Sequence, residues 1–99
     1  MTKSELIAKV AQSANLSKTE ASQTLNSVLE IMQDALVEEG KVILTGFGMF
    51  WTEKKEERQG HNPRTGEAIT VPARTVIRFK PYSQLKTKIR QAQKSRELK

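Results

Sequence analysis

The sequence predicts an α+β fold: two N-terminal helices, a three-stranded antiparallel sheet with a long protruding β-ribbon arm, and a C-terminal helix. Three observations predict it. Apolar residues recur at helical spacing through the first forty positions, then change to a strand-like pattern from Lys41. Gly40, Gly46 and Gly48 punctuate that change. A polar stretch from about Thr52 to Thr75 then separates two strand-like runs, and a basic segment closes the chain. Ninety-nine residues fit one domain. Within it, 1–40 is a helical dimerisation region, 41–81 a sheet with its arm at about 52–75, and 82–99 a basic C-terminal helix.

Two helix starts share one chemistry. Thr2-Lys3-Ser4-Glu5 and Ser17-Lys18-Thr19-Glu20 both fit the capping box, a hydroxyl at the cap and Glu three positions later. Leu6, Ile7, Val10, Ala11 and Ala14 form one face after the first. Ala21, Leu25, Val28, Leu29, Met32 and Leu36 form a longer face after the second, which Gly40 ends. Ala14-Asn15-Leu16 joins the two as a helix-turn-helix in the plain geometric sense.

Beyond Lys41, Val42 and Leu44 precede the glycine pair, and Phe47 and Phe50 accompany it, which suits a strand, a tight turn and a second strand. In MFWTEKKEER the apolar start gives way to charge, so this strand leaves the core for solvent. RQGHNPRTG, Arg58 to Gly66, has nothing apolar to anchor it except its proline. The return run EAITVPARTVIRFKP gains Val76, Ile77 and Phe79 only near its end, and Pro72 suits an edge or two-stranded ribbon better than a central strand. In the last segment Leu85 and Ile89 lie four apart on a helix otherwise rich in Lys and Arg.

An arm strand of Thr52–His61 projects roughly 30 Å at ~3.3 Å per residue, and it buries nothing of its own. The remaining residues, about 75–80, form a chain too short to cover its own apolar faces. A dimer with a shared core resolves this, and Leu29, Met32, Leu44, Phe47, Phe50 and Phe79 are its candidate core. The partner is an identical chain, or alternatively a related subunit in a heterodimer.

Composition excludes much else. There is no cysteine, hence no disulfide framework, thiolate metal site or thiol nucleophile. One His, His61, and one Asp, Asp34, stand in unlike settings, and Glu38-Glu39 and Glu56-Glu57 are neighbours in polar runs. The expectation is therefore no enzyme, no catalytic residue, no metal and no cofactor. No apolar run reaches the ~18 residues of a membrane span, and MTKSELIAKVA is too polar for a signal peptide. A cytoplasmic location is expected.

Charge is distributed unevenly. Residues 1–50 hold four Lys and six acids, net −2, whereas residues 51–99 hold thirteen Lys or Arg and five acids, net +8. That contrast suggests a footprint for a polyanion on the second half alone.

GFGMF at 46–50 and ERQGHNPRTGEAI at 57–69 resemble the two signature stretches of the HU/IHF family of bacterial histone-like DNA-bending proteins, and the likeness covers nearly the whole chain. The resemblance implies an intertwined dimer on double-stranded DNA, with two ribbon arms in the minor groove and a proline at each tip wedged into a base step, for nucleoid compaction and assembly of DNA complexes. Carried across, the wedge is Pro63, between Asn62 and Arg64, with Gly60 and Gly66 shaping the tip. HU-like members bind almost any duplex and IHF-like members select by deformability. PARTVIRFKP and the basic tail incline toward the IHF side without deciding it.

The residues themselves support that reading. A proline offers a rigid apolar ring with no N–H to desolvate. Asn-Pro-x-x-Gly is ordinarily a turn, but here it caps an unsupported basic ribbon with nothing inside the protein to touch. Lys54, Lys55, Arg58 and Arg74 line the ribbon strands, and Lys80 and Lys86 extend the track over the body. Arg58 and Arg74 are the leading DNA contacts, with salt bridges to Glu53, Glu56 and Glu57 as the competing use of these cations. Two positions depart from the usual family pattern. His61 stands where Arg is common and suits hydrogen bonding or stacking at the groove. Trp51 lies opposite Phe50 by strand alternation, and packs beneath the partner's arm or lies on the DNA-facing surface; its large apolar area favours packing. The alternative function is a sequence-specific transcriptional regulator reading DNA through the N-terminal helix-turn-helix. Its second helix, however, sets Lys18 against Glu20, Glu30, Asp34, Glu38 and Glu39, the wrong sign for a groove.

Overall fold

The computed structural model describes residues 1–97, with side chains described through Lys94. The last two positions of the predicted C-terminal helix and the Arg96 side chain lie outside the described residues. The element order is α1 (Lys3–Ser13), α2 (Lys18–Glu38), β1 (Lys41–Leu44), β2 (Gly48–Lys55), β3 (Arg58–His61), β4 (Ala68–Val71), β5 (Arg74–Pro81) and α3 (Ser83–Glu97). The chain divides into two compact units, Met1–Glu38 and Glu39–Lys99.

In the first unit the caps do what the sequence suggests, to different degrees. The Ser17 hydroxyl accepts from the Glu20 N–H, and the Ser17 N–H donates to Glu20 Oε1, each at 3.1 Å, which completes a capping box. Donation from Ser17 to the carboxylate, first by its backbone N–H and then by its hydroxyl, holds the Glu20 carboxyl below its ordinary value. At Thr2 the hydroxyl accepts from the Glu5 N–H at 3.2 Å. Between the helices Asn15 takes φ 56° while the Leu16 N–H donates to the Ala11 carbonyl at 2.8 Å. That is a Schellman stop with Asn in the left-handed position usually filled by Gly. Packing of α1 on α2 buries Ala11 and Ala21, the only buried hydrophobic side chains among the described residues. Along α2 the expected face is only partly covered: Leu25, Leu29, Met32 and Leu36 are half-buried and Val28 is exposed.

In the second unit β1, β2 and β5 form an antiparallel sheet in the order β1-β2-β5, and β3 with β4 forms a separate two-stranded ribbon. The sequence reading of one unbroken ribbon is thus refined. The ladder stops at Lys55↔Arg74 and resumes at Arg58↔Val71, with Glu56-Glu57 across from Pro72-Ala73. Proline cannot donate to a ladder, so the interruption falls where Pro72 sits. The β1–β2 turn closes through the Phe47 N–H donating to the Leu44 carbonyl at 2.9 Å, with Gly46 at φ 90° in the third turn position, as a type II turn requires.

Register divides the sheet into two faces. Val42 and Phe50 are partners, as are Leu44 and Gly48, and Phe50 and Phe79. Alternation therefore puts Val42, Leu44, Phe50 and Phe79 on one face. There the Phe50 and Phe79 rings lie 4.7 Å apart, and Phe47 joins from the turn at 5.8 Å. Gly48 is required beneath them, because an added Cβ would stand 2.5 Å from Phe79 Cε1 and 2.8 Å from the Lys80 carbonyl oxygen. Even so, Phe47 stays 48% exposed and Phe79 43%. Leu29, Met32, Leu44 and Phe50 are half-buried. None of the six candidate dimer-core residues is buried within the single chain. Among the described residues, no helix is long and apolar enough to cross a membrane.

Candidate nucleic-acid interface

The face opposite the phenylalanines carries the charge. From the pairs Lys41↔Trp51, Met49↔Lys80, Trp51↔Arg78, Glu53↔Val76 and Lys55↔Arg74, alternation places Lys41, Lys55, Arg74, Arg78 and Lys80 on one side of the sheet, with Trp51 and Glu53 among them. Lys55 and Arg74 stand directly across from each other at its outer end. Like charges so opposed destabilise a strand pair, unless an anion comes between them.

Glu53 is the one internal acid on this face. Its carboxylate accepts from Trp51 Nε1 at 2.9 Å and from Arg78 Nε at 3.4 Å. The indole N–H foremost holds the Glu53 carboxyl below its ordinary value against the opposing effect of desolvation, with the Arg78 bond and charge and the Lys55 charge adding to the lowering. Arg78–Glu53 is the only ion pair among the described residues. The competing salt bridges expected for Lys54, Lys55, Arg58 and Arg74 do not form. These four side chains are exposed, and Glu53 is taken by Arg78 instead.

Lys54 separates from Lys55. It pairs with Thr75 on the face of Phe50 and Phe79, since adjacent strand residues point to opposite sides. Beyond the break, Arg58 and Gly60 share one ribbon face with Val71 and Ile69, while Gln59 and His61 share the other with Thr70 and Ala68. Gly60 leaves Ile69 and Val71 in ordinary contact range of where a Cβ would stand. His61 is exposed at the base of the tip. Trp51 is half-buried, across the sheet from Phe50 as alternation requires, and its indole is held by Glu53.

The tip is built around Asn62. Its N–H donates to the Glu67 carbonyl at 2.8 Å, and its carbonyl accepts from the Gly66 N–H at 2.7 Å. Its Oδ1 accepts from the Arg64 N–H at 2.9 Å, an Asx turn. Thr65 Oγ1 takes the Glu67 N–H at 3.3 Å. Gly66 sits at φ 74°, where a side chain would be strained. Most of the tip's N–H groups are thus satisfied within the tip, and Pro63 has none. Its ring is exposed with no interior surface to pack on, and Arg64 is exposed beside it.

Sequence reasoning missed Arg78 and Lys41 on the basic face. The period-2 run Arg74, Val76, Arg78, Lys80 was the available signal for the first. Lys80 lies at the body end of that run, whereas Lys86 stands apart on α3. Among the described residues, no cluster of three or more His, Asp or Glu could hold a metal ion.

Comparison with known proteins agrees with this geometry. The family described as Bacterial DNA-binding protein matches residues 1–90. The chain is 48% identical over 86 residues to DNA-binding protein HU-1 of Halalkalibacterium halodurans, spanning 87% of this chain and 96% of that one. It is 38% identical over 89 residues to the integration host factor subunit alpha of a Marinomonas species, covering 90% and 91%. Among solved structures, an Anabaena HU–DNA cocrystal structure superimposes with a TM-score of 0.79 at 35% identity, covering 90% of this chain and 97% of that one.

Proposed function

From the chain's place in the bacterial DNA-binding protein family, to which it belongs together with HU proteins and integration host factor subunits, we propose that it is an architectural protein that binds duplex DNA as a dimer and bends it. The two ribbon arms enter the minor groove. The partner is a second copy of this chain or a related subunit, and the site of action is the nucleoid in the cytoplasm. The protein has no enzymatic role in this reading; compaction and the assembly of DNA complexes follow from the bend.

The observation that carries the reading is the arm tip, an exposed proline ring on a loop that satisfies its own hydrogen bonds, at the end of a basic ribbon. Strands ~4.8 Å apart are narrow enough to follow a minor groove about 6 Å wide once it opens. Lys55, Arg58 and Arg74 draw the ribbon along the phosphates, with Lys54 reaching from the other face and Lys41 and Lys80 receiving the duplex on the sheet. The apolar ring of Pro63 then leaves water only by entering between bases. Asn62, Arg64, His61 and Gly60 surround that entry and hydrogen-bond or stack at the groove. Unstacking costs a few kcal/mol per step and is offset by the contacts a bent duplex makes, an account of minor-groove binding framed in part on HU and IHF themselves.

A regulator reading DNA through α1 and α2 is not favoured, because Lys18 is the only cation on α2. The test of the wedge is Pro63→Ala, which keeps every charge. Energy transfer between labelled duplex ends should report a much smaller bend, while affinity for straight DNA falls only modestly. A variant that bends DNA as strongly as the wild type would leave Pro63 a turn residue and nothing more.

A further inference from the structure

Glu53 stands alone on a crowded cationic face, among Lys41, Lys55, Arg74, Arg78 and Lys80, all of them exposed. Trp51 and Arg78 are direct cross-strand partners, and Glu53, whose own partner is Val76, lies diagonal to Arg78. Long side chains meet across such a diagonal. Both carboxylate oxygens are engaged there: Oε1 accepts from Trp51 Nε1 at 2.9 Å, and Oε2 from Arg78 Nε at 3.4 Å. An N–H donor and a guanidinium that converge on one carboxylate would converge equally well on a phosphate. The grip on Arg78 is weak. Its bond is long and single, not the two-point fork of a strong pair, and the side chains are 46% exposed at Arg78 and 44% at Glu53. Exposed ion pairs of this kind contribute little, so a polyanion held by other cations displaces the carboxylate at small cost.

Resting on the DNA-bending function proposed above, we propose that Glu53 is a built-in stand-in for a DNA phosphate. It occupies an anion site formed by Trp51 Nε1 and Arg78 in the free protein and yields that site to the duplex. In the free protein Arg78 is neutralised, so the sheet attracts DNA less than its cations alone would. When the duplex reaches the sheet, a backbone phosphate replaces the carboxylate on Arg78 and on the indole N–H. Glu53 then turns to solvent, and its charge opposes the complex. The sheet's share of the affinity is thereby lowered, and retention of DNA rests more on the arms. Glu53 touches no base and sets this division through Arg78 and Trp51.

A purely structural use of Glu53 is to offset repulsion among the cations and to steady the indole, and the experiment separates the two. Glu53→Gln keeps the shape and an acceptor for the indole N–H but removes the charge. In the full-length protein it should raise affinity for duplex DNA about threefold per site, near tenfold per dimer. With Arg78→Gln already present, the gain should shrink to that of Glu56→Gln, which removes an exposed charge that has no ion pair. Equal gains with and without Arg78, or a gain no larger than that of Glu56→Gln, would reduce Glu53 to general charge and overturn the stand-in. Two readings do not depend on the Glu53 variant. Arg78→Gln alone should flatten the slope of log K against log salt by about 2 per dimer, at ~0.9 per phosphate; an unchanged slope would mean that Glu53 never gives Arg78 up. Trp51 is the chain's single tryptophan, so its indole N–H resonance reports the exchange directly and should shift when duplex DNA is added to the wild type. A resonance that DNA leaves in place would overturn the exchange. A wild type that neither binds nor bends DNA would instead overturn the function on which it rests.

Discussion

Replacing Gly48 by alanine tests the close packing of the aromatic face. The new methyl would meet Phe79 Cε1 at 2.5 Å and the Lys80 carbonyl oxygen at 2.8 Å. Ordinary contact begins near 3.4 Å, so the ring must retreat by about 0.9 Å, and the carbonyl belongs to the β5 ladder and cannot yield cheaply. Displacing the ring also loosens its pairings with Phe50 and Phe47, each such pairing contributing about 0.5–1.5 kcal/mol. Overpacking typically costs 1–3 kcal/mol, and the backbone contact puts this case at about 2–3 kcal/mol per chain. At roughly 4–8 °C per kcal/mol for a domain of this size, thermal unfolding should begin 10–15 °C lower. A dimer doubles both the cost and the unfolding entropy, so the shift per chain is unchanged. Circular dichroism at fixed protein concentration reads it. Shrinking the ring should relieve the clash, so Gly48→Ala with Phe79→Leu should destabilise by less than the two single changes together. A shift below about 3 °C for Gly48→Ala, or full additivity with Phe79→Leu, would refute the steric argument.

Arg58→Ala and Arg74→Ala should each flatten the salt slope of DNA binding by about 1 for every arm engaged, with little effect on thermal unfolding; an unchanged slope would remove them from the phosphate track. The unfolding midpoint should rise with protein concentration, since Phe47, Phe79 and much of the α2 face stay uncovered in the single chain; a concentration-independent midpoint with a monomer mass in sedimentation would contradict a shared core. Ser17→Ala removes a capping hydroxyl and should cost about 1 kcal/mol, read by denaturant unfolding. Because the Glu20 carboxyl titrates lower folded than unfolded, its contribution is present above the ordinary carboxylate range and is lost as pH falls through the lowered value. Glu20→Gln should accordingly flatten the acid side of the stability curve, and identical curves would argue against the box.

Most of the element order was legible in the chain, because it depends on local chemistry. The capping hydroxyls of Thr2 and Ser17, the apolar spacing of α2, the glycines of the first hairpin and Asn62–Gly66 at the tip all act within a few residues of themselves. Pro72 was legible for the same reason: a missing N–H weakens a ladder wherever it occurs, and the sheet does break there. That the arm stands outside the core was also readable, since Thr52–Glu67 carries no apolar side chain but Pro63.

Tertiary structure alone decided which side chains share a face. Register across two strands far apart in sequence put Arg78 against Trp51 and Glu53, set Lys55 opposite Arg74, and turned Lys54 the other way. The chain lists all of these charges but not their pairings, because a shift of one residue would exchange the two faces of the strand. Likewise Gly48 reads as a turn glycine in sequence, and only β5 lying beside β2 shows that Phe79 occupies the space of its missing side chain.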